Sequence, residues 1–259
     1  MALEYNLDHI SDKGKKTNIR KALSILEKAF YKNIEVKSFF LDPYEQKVIA
    51  EIAKKNSIDL CFLGGNIDSE RKIFVANYYY EPLYEPNYIT VLEFYSDTMS
   101  HPDVLGALLS LGIDRNDIGD ISILDNKVEF VLSLDQANFV EFNLSKIKNE
   151  NISLKIKEGA KLDLIKPTYE EKAGFVSSLR LDSFVSLFLC ISRTKAKEFV
   201  KSRLVKVDFQ VTEEPSYQVY EGCLISIRKF GRFIFDEIDG LSKKENYHIK
   251  YRKVKWYIQ

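Results

Sequence analysis

The sequence predicts an α+β fold in three parts, and three observations indicate it. Helix-like and strand-like patterns mix along residues 1–88, and residues 89–157 follow the order βαββαβ. Beyond a linker at 158–174, two short amphipathic helices precede a group of strands in residues 175–259. With 259 residues, 45 % of them apolar, the chain can form two or three domains with separate cores.

Two helices and two strands are predicted in the N-terminal α/β region. Apolar residues at helical spacing predict a helix over residues 17–31, with Thr17 or Asn18 available as its N-cap. A second helix begins at Asp42-Pro43, since aspartate is a good N-cap and proline fits a first turn. Short apolar runs predict strands over residues 58–63 and 72–80.

The middle part has the ferredoxin-like order. Its predicted elements are a strand at 89–95, a helix at 102–111, a hairpin of 118–124 with 127–132, a helix from Asp135 to Leu144 and a strand at 152–156. An RNA recognition motif (RRM) shares this topology and stacks bases on strand aromatics. Strand 127–132 carries only Phe130 and lacks the expected glycine, so base stacking and core packing both remain open for this RRM-like sheet.

Charge is distributed unevenly along the chain. The formal net charge is zero, yet the residues from Gly174 onward contain 16 Lys and Arg against 10 Asp and Glu. Such asymmetry predicts a basic C-terminal module that meets a polyanion and an acidic body that does not. The alternative is ordinary solvated charge scattered over the surface.

The basic residues of the C-terminal part follow its predicted helices and turn. Ser192 is a good N-cap for the second helix, whose exposed amides offer a phosphate site beside Arg193. Arg193, Lys197 and Lys201 recur every four residues and form one cationic stripe. The turn around Gly231 adds a second basic edge. The candidate RNA contacts are Arg180, Ser192, Arg193, Thr194, Lys195, Lys197, Lys201, Lys206, Arg228, Lys229 and Arg232.

Other classes of protein find little support. The N-terminus lacks a secretory pattern, and the longest apolar run, residues 184–191, is too short to span a bilayer, so we expect a cytoplasmic protein. Three scattered cysteines indicate buried thiols. The three histidines lack metal-ligand spacing and no phosphate-binding glycine loop occurs, so we expect no cofactor, metal or catalytic site. The final segment, residues 248–257, interleaves aromatic and basic residues, which fits either strand packing or base stacking.

Several motifs carry a family resemblance. The C-terminal part resembles the S4 RNA-binding domain through Arg180-Leu181-Asp182, Ser192-Arg193, Val205-Lys206-Val207 and Gly231-Arg232, among others. Upstream, residues 40–43, 64–65 and 70–71, and above all 101–121 (HPDVLGALLSLGIDRNDIGDI), resemble the YlmH family, so the resemblance covers nearly the whole chain.

The resemblance implies a function and partners. YlmH-like proteins are bacterial cytoplasmic RNA-binding proteins with an RRM-like region before a C-terminal S4 domain. Their short S4 relatives, the RqcP proteins, stabilise peptidyl-tRNA on a split large subunit in ribosome-associated quality control. The implied partners are therefore large-subunit rRNA, peptidyl-tRNA and quality-control factors on the split subunit.

The chain departs from the S4 pattern at several positions. Arg203 stands where glycine usually precedes the Val-x-Val strand, so a left-handed turn there would be strained. Asp208 replaces the usual asparagine, and Cys223 replaces aspartate after Gly222. These departures put the RNA contacts near Arg203 in doubt.

Two rival functions remain open. Pseudouridine synthases also carry S4 domains and place a catalytic aspartate in an Arg-Leu-Asp motif, but only 77 residues follow Asp182, too few for a catalytic domain. Asp182 is expected to be an N-cap, not a nucleophile. A protein-interaction scaffold, linked to cell division, is the other rival, and there the basic face is incidental.

Overall fold

The computed structural model describes residues 3–8, 10, 12–78, 82–164 and 166–255. Those residues form helices and sheets in two compact units, and the boundary between the units lies at residues 165 and 166. The predicted α+β class is confirmed. Tyr79, Tyr80, Trp256 and Tyr257, which lay in predicted strands, are outside the described residues.

The first unit begins with two helices and a three-stranded antiparallel sheet. The helices are α1 (Lys13–Lys32) and α2 (Pro43–Lys55), and the strands are β1 (Val36–Lys37), β2 (Leu60–Leu63) and β3 (Ile73–Ala76), in the order β1-β3-β2. Asp42 caps α2 as predicted, in a capping box with Glu45. The prediction for α1 was wrong at its start, because Asp12 accepts the Gly14 and Lys15 amides and caps the helix earlier.

The middle region has the predicted ferredoxin-like topology. The elements are β4 (Ile89–Tyr95), α3 (His101–Ser110), β5 (Ile118–Leu124), β6 (Lys127–Ser133), α4 (Leu134–Asn143), β7 (Lys146–Ile147), β8 (Glu150–Asn151) and β9 (Lys155–Lys157). The sheet order is β5-β6-β4-β9, with the two helices in the two crossovers. Some details differ from the prediction: α4 begins directly after Ser133, a small extra hairpin of β7 with β8 precedes the last strand, and that strand begins three residues later than predicted.

Both faces of this sheet are occupied. Phe94 and Phe130 are buried in the core that includes α3 and α4. On the other face, Val91 and Val131 are fully buried in a core with Phe40 of the N-terminal region. That second face is the one on which an RNA recognition motif would stack bases. It is covered and carries no aromatic residue at these positions, so core packing is the correct interpretation of Phe130.

A half-buried arginine joins the N-terminal region to the middle sheet. Arg71 donates hydrogen bonds to the carbonyl oxygens of Phe40 and Ile118, both at 2.9 Å, and of Arg115 at 3.2 Å. Asp120 accepts the backbone amides of Glu70 and Arg71 at 2.6 and 3.1 Å. Burial lowers the pKa of Arg71 and raises that of Asp120. The regions predicted as residues 1–88 and 89–157 therefore share one unit.

The predicted linker at residues 158–174 was wrong in its character. Its first half packs in the first unit, where Leu162 is buried and its amide donates to the Gly65 carbonyl at 2.9 Å. Its second half forms β10 (Thr168–Val176), a strand of the second unit. The sequence of β10 resembled a linker because its residues are mostly polar and exposed and do not alternate with apolar ones.

The second unit packs two helices on a six-stranded antiparallel sheet. The helices are α5 (Leu181–Leu189) and α6 (Arg193–Lys201), and the strands that follow β10 are β11 (Val205–Val207), β12 (Gln210–Val211), β13 (Leu224–Ile227), β14 (Gly231–Leu241) and β15 (Tyr247–Lys255). The strand order in the sheet is β10-β15-β14-β13-β11-β12. The core includes Phe184, Val200 and Phe235, all fully buried.

The cysteines only partly match the expectation of buried thiols. Cys223 is buried, and burial raises its pKa to about 12, but Cys61 is half-buried and Cys190 is exposed at the end of α5. Within the described ranges, no helix is long and apolar enough to cross a membrane.

Candidate nucleic-acid interface

Two arginines converge on one buried aspartate at the start of α5. Arg180 Nε lies 3.3 Å from Asp182 Oδ1 and its Nη2 lies 3.3 Å from Oδ2, while Arg193 Nη2 reaches Oδ1 at 3.0 Å. The Asp182 side chain is fully buried, whereas the side chains of Arg180 and Arg193 are 34 % and 42 % exposed. The carboxylate therefore fixes two cations that still face solvent.

The N-cap prediction for Asp182 was wrong. Arg180 occupies the cap position, and the first amides of α5 are satisfied by a neighbouring loop. Leu181 and Asp182 donate their amides to the carbonyls of Tyr217 and Pro215, at 2.9 and 3.0 Å. The Asp182 side chain is thereby left available for the arginines. Sequence reasoning missed this role, since the two arginine partners lie on different elements.

Opposing effects set the charge of Asp182. Burial acts to raise its pKa, but the hydrogen bonds from Arg180 and Arg193 and their positive charges outweigh burial and hold the pKa below its usual range. The carboxylate is therefore ionised at neutral pH. Arg193 also donates to the hydroxyls of Ser177 and Ser178 at 3.2 and 3.1 Å. These serines, which the sequence did not single out, complete its orientation.

The start of α6 is capped as expected. Ser192 Oγ accepts the Lys195 amide at 3.3 Å, so this hydroxyl takes up one of the first-turn donors. Thr194 and Lys195 are exposed in the first turn. Because the Arg193 guanidinium turns back to Asp182, the predicted stripe begins at an anchored arginine and continues as the exposed Lys197 and Lys201. Arg193 and Lys201 are eight residues apart, about 12 Å along the helix.

The turn between β13 and β14 lies beside the C-terminal end of α6. The Arg228 amide donates to the Leu204 carbonyl at 2.9 Å, and the rings of Phe199 and Phe230 meet edge to face with centroids 5.7 Å apart. Arg228 and Lys229 are exposed on this turn. These contacts place the turn next to the helix end that carries Lys201.

Most of the basic side chains on α6 and on the β13–β14 turn are not paired with a described carboxylate. In the part of the unit that the structure describes, no carboxylate pairs with Lys195, Lys197, Lys201, Arg228 or Lys229. Asp236, Glu237 and Asp239 lie on β14 and pair with Arg252 and Lys250. Among the described side chains, no cluster of three or more His, Cys, Asp or Glu could hold a metal ion.

Lys206 and Arg232 lie on a different face from the other candidates. The register aligns Lys206 with Ser226 and Ser226 with Arg232 across three adjacent strands. Their neighbours Val205 and Phe233 point to the opposite, helix-covered face and are buried. The Arg232 guanidinium lies over the Phe209 ring, 5.7 Å from its centroid. The eleven predicted contacts thus separate into nine on the helix side and two on the back of the sheet.

The three departures from the S4 pattern have structural explanations. Arg203 adopts a left-handed φ of 61° in a Schellman turn, where its amide and that of Leu204 donate to the carbonyls of Val200 and Phe199. Asp208 accepts the Leu224 amide at 2.9 Å with Oδ1 and the Tyr220 hydroxyl with Oδ2, and the single oxygen of an asparagine could take over the first of these two bonds. Cys223 is buried in the core. The turn expected for glycine at position 203 is retained.

Comparisons with known proteins agree with this architecture. Residues 91–161 match the family described as "Putative RNA-binding domain in YlmH", and residues 179–223 match the S4 domain family. The chain is 33 % identical over 229 residues to "Ribosome-associated protein quality control protein P2" of Bacillus subtilis (strain 168), which covers 83 % of this chain and 86 % of the relative.

A solved structure shares part of the fold. "Cell division protein ylmH from Streptococcus pneumoniae" superposes with a TM-score of 0.51 at 19 % identity, over 59 % of this chain and 96 % of that chain. At this identity the likeness concerns the fold alone. The two domain matches and the extended identity to the Bacillus protein together show that the chain belongs to the YlmH family of S4-domain RNA-binding proteins.

Proposed function

We propose that the protein is a non-catalytic RNA-binding factor that contacts the large ribosomal subunit in the bacterial cytoplasm. Its C-terminal module would bind rRNA and peptidyl-tRNA during ribosome-associated quality control of stalled chains. It would act alongside quality-control factors on the split subunit. The observation that carries the proposal is the anchored pair Arg180 and Arg193 beside the unneutralised cations of α6 and the β13–β14 turn. The acidic first unit would contact the ribosome or tRNA by shape.

The arrangement suits a folded RNA backbone. The guanidinium groups of Arg180 and Arg193 are held in place by a buried carboxylate, so less conformational entropy is lost when they bind phosphate. The exposed lysines of α6 add charge without fixed geometry and strengthen binding through counterion release. Contacts of this kind position a protein on RNA and carry little sequence information.

The burial of the Asp182 side chain argues against the pseudouridine-synthase alternative. A nucleophilic carboxylate must be reachable by the substrate, whereas the Asp182 side chain is fully buried and both of its oxygens accept hydrogen bonds from arginines. Its place in the Arg-Leu-Asp motif is explained by that anchoring role.

Co-sedimentation with purified large ribosomal subunits tests the proposal. Lys197→Gln/Lys201→Gln removes two exposed cations for which the described residues provide no ion pair, and Arg180→Ala/Arg193→Ala removes the anchored pair. Both double variants should bind about tenfold or more weakly at low salt, and the difference from the original chain should shrink as salt rises, because fewer phosphate contacts make affinity less dependent on salt. The matched control is Lys243→Gln/Lys244→Gln at the exposed β14–β15 turn of the same unit, which should bind as the original chain does.

The outcome also distinguishes the scaffold alternative. Subunit binding that is unchanged in both double variants would contradict RNA contact through this surface. Partners that are recovered equally with and without ribonuclease would then favour a protein-interaction scaffold.

A further inference from the structure

The first helix of the chain presents a strongly basic outer face. Over its 20 residues, α1 carries seven Lys and Arg against a single Glu. Two of these cations turn toward carboxylates of the same region: Lys15 pairs with Asp42 and Glu45, and Lys16 lies 3.9 Å from Asp8. The other five are exposed, namely Lys13, Arg20, Lys21, Lys28 and Lys32.

The five exposed cations share one side of the helix. At 3.6 residues per turn they fall within an arc of about 120°, and they extend over about 28 Å from Lys13 to Lys32. The opposite side is the apolar face and is buried in the core of the first unit. Along the described chain, no carboxylate pairs with any of these five side chains.

Helix stability accounts for only one of these five cations, Lys32 in the last turn of α1. Cations near a helix N-terminus oppose the helix dipole, and the first turn of α1 contains no acidic residue. The neighbouring α2 has the favourable arrangement, with Glu45 in its first turn and Lys54 and Lys55 in its last. The charge of α1 also stands out in the acidic part of the chain, where residues 1–173 contain 22 Lys and Arg against 28 Asp and Glu.

We propose that the outer face of α1 is a second RNA-binding surface, which contacts the phosphates of a double-stranded RNA segment. This surface lies in the first unit and does not depend on the cations of the second unit. A band of unneutralised cations about 28 Å long, on one side of the helix, complements the repeated charges of a duplex backbone. Tyr31, which is 60 % exposed, lies at one end of this band of cations. One aromatic side chain does not provide the series of rings on which the bases of a single strand would stack.

An anionic membrane surface fits this helix less well. A membrane-bound amphipathic helix inserts its apolar face into the lipid. Here Ile19, Leu23 and Leu26 are buried in the protein core and at most 1 % exposed. The exposed side of α1 offers charge and hydroxyls, with no apolar stripe to insert.

The test compares two triple variants of the full chain. Arg20→Gln/Lys21→Gln/Lys28→Gln neutralises the centre of the α1 face, and Gln preserves helix propensity. Lys47→Gln/Lys54→Gln/Lys55→Gln removes the same charge from the exposed side of α2. The probe is an RNA duplex of about 16 base pairs, the length that a double-stranded-RNA-binding domain spans. Binding is measured as a function of salt, with circular dichroism as the check on folding.

The slope of log affinity against log salt is negative, and the α1 variant should make it shallower by about 2 to 3, since each phosphate contact contributes about 0.9 to its magnitude. The α2 variant should leave the slope unchanged. An unchanged slope in the α1 variant, an equal loss in the α2 variant, or vesicles of anionic lipid binding the chain as tightly as the duplex would each overturn the proposal. If Lys197→Gln/Lys201→Gln still weakens subunit binding in such a case, only this inference fails and the function proposed for the second unit stands.

Discussion

Arg193 Nη2 donates to Asp182 Oδ1 at 3.0 Å, and this bond ties the first turn of α6 to the first turn of α5. The two residues are eleven positions apart in sequence. Arg180 approaches the same carboxylate from the residue that precedes α5. One buried acid thus sets the positions of both arginines that we expect to contact RNA, and it couples the stability of the helix pair to the geometry of the interface.

Replacing this acid should affect both stability and binding. Asp182→Asn keeps the size of the side chain but removes the charge that holds the arginines. We expect the free energy of unfolding of the second unit to fall by about 1.5–3 kcal/mol, the range for hydrogen bonds to a charged group, with a value near the lower end because the arginines are partly exposed. Large-subunit affinity should fall as well, although no exposed cation is removed. Urea unfolding and co-sedimentation measure the two effects.

The control for this variant is Glu198→Gln, which removes an acid from the exposed side of α6 without a described ion pair. It should leave stability within about 0.5 kcal/mol, as is usual for surface substitutions. An Asp182→Asn chain that binds subunits as tightly as the original would show that the anchoring is unnecessary for RNA contact.

The same carboxylate predicts a pH dependence. Its pKa is lower in the folded chain than the unfolded value of about 3.9, so the ionised form favours folding. That contribution is complete above pH values near 4 and is lost as the pH falls through the folded pKa. The difference in unfolding free energy between the original chain and Asp182→Asn should therefore be constant from pH 7 to about 5 and shrink below about 4. A difference that grows on acidification would contradict the assigned charge state.

Much of the fold was predictable because local patterns and caps determine it. The Asp42 capping box, the βαββαβ order and the Ser192 cap each rest on residues close together in sequence, and the structure contains all three. The linker was misjudged because β10 pairs with β15, about 80 residues downstream, and a polar edge strand has no local signal of that pairing.

The candidate site was predictable in composition but less so in arrangement. Charge counts identified the basic module and its helix, yet they could not reveal that Asp182 gathers Arg180 and Arg193. Nor could they place Lys206 and Arg232 on the back of the sheet, since that depends on the strand register. The basic face of α1 was also missed, because the charge count of residues 1–173 is negative as a whole and does not reveal a local excess of cations.

Arg71 should be essential to the first unit and irrelevant to RNA contact by the second. Arg71→Met leaves the carbonyls of Phe40, Ile118 and Arg115 without this donor and removes the charge beside Asp120. The loss should be about 2–4 kcal/mol, typical of breaking a buried polar network. Amide hydrogen exchange should accelerate in β4 and β6 while α5 and α6 keep their protection. Equal acceleration in both units would contradict the division between them.

Arg203 offers a test of the backbone at the end of α6. Its φ of 61° is a conformation that costs most residues about 1–2 kcal/mol and glycine almost nothing. Arg203→Gly should therefore stabilise the second unit. The side chain also pairs with Glu213 at 2.6 Å, but both partners are more than half exposed, so this ion pair contributes at most about 1 kcal/mol.

Arg203→Ala separates the two contributions, because it loses the ion pair and keeps the left-handed strain. The glycine variant should exceed the alanine variant by about 1 kcal/mol in unfolding free energy, even though glycine has the more flexible unfolded chain. If the alanine variant is equally stable, the Schellman turn imposes no strain at this position. If Arg203→Gly stabilises the fold but weakens subunit binding while Glu213→Gln does not, the arginine is retained for RNA contact at the cost of backbone strain.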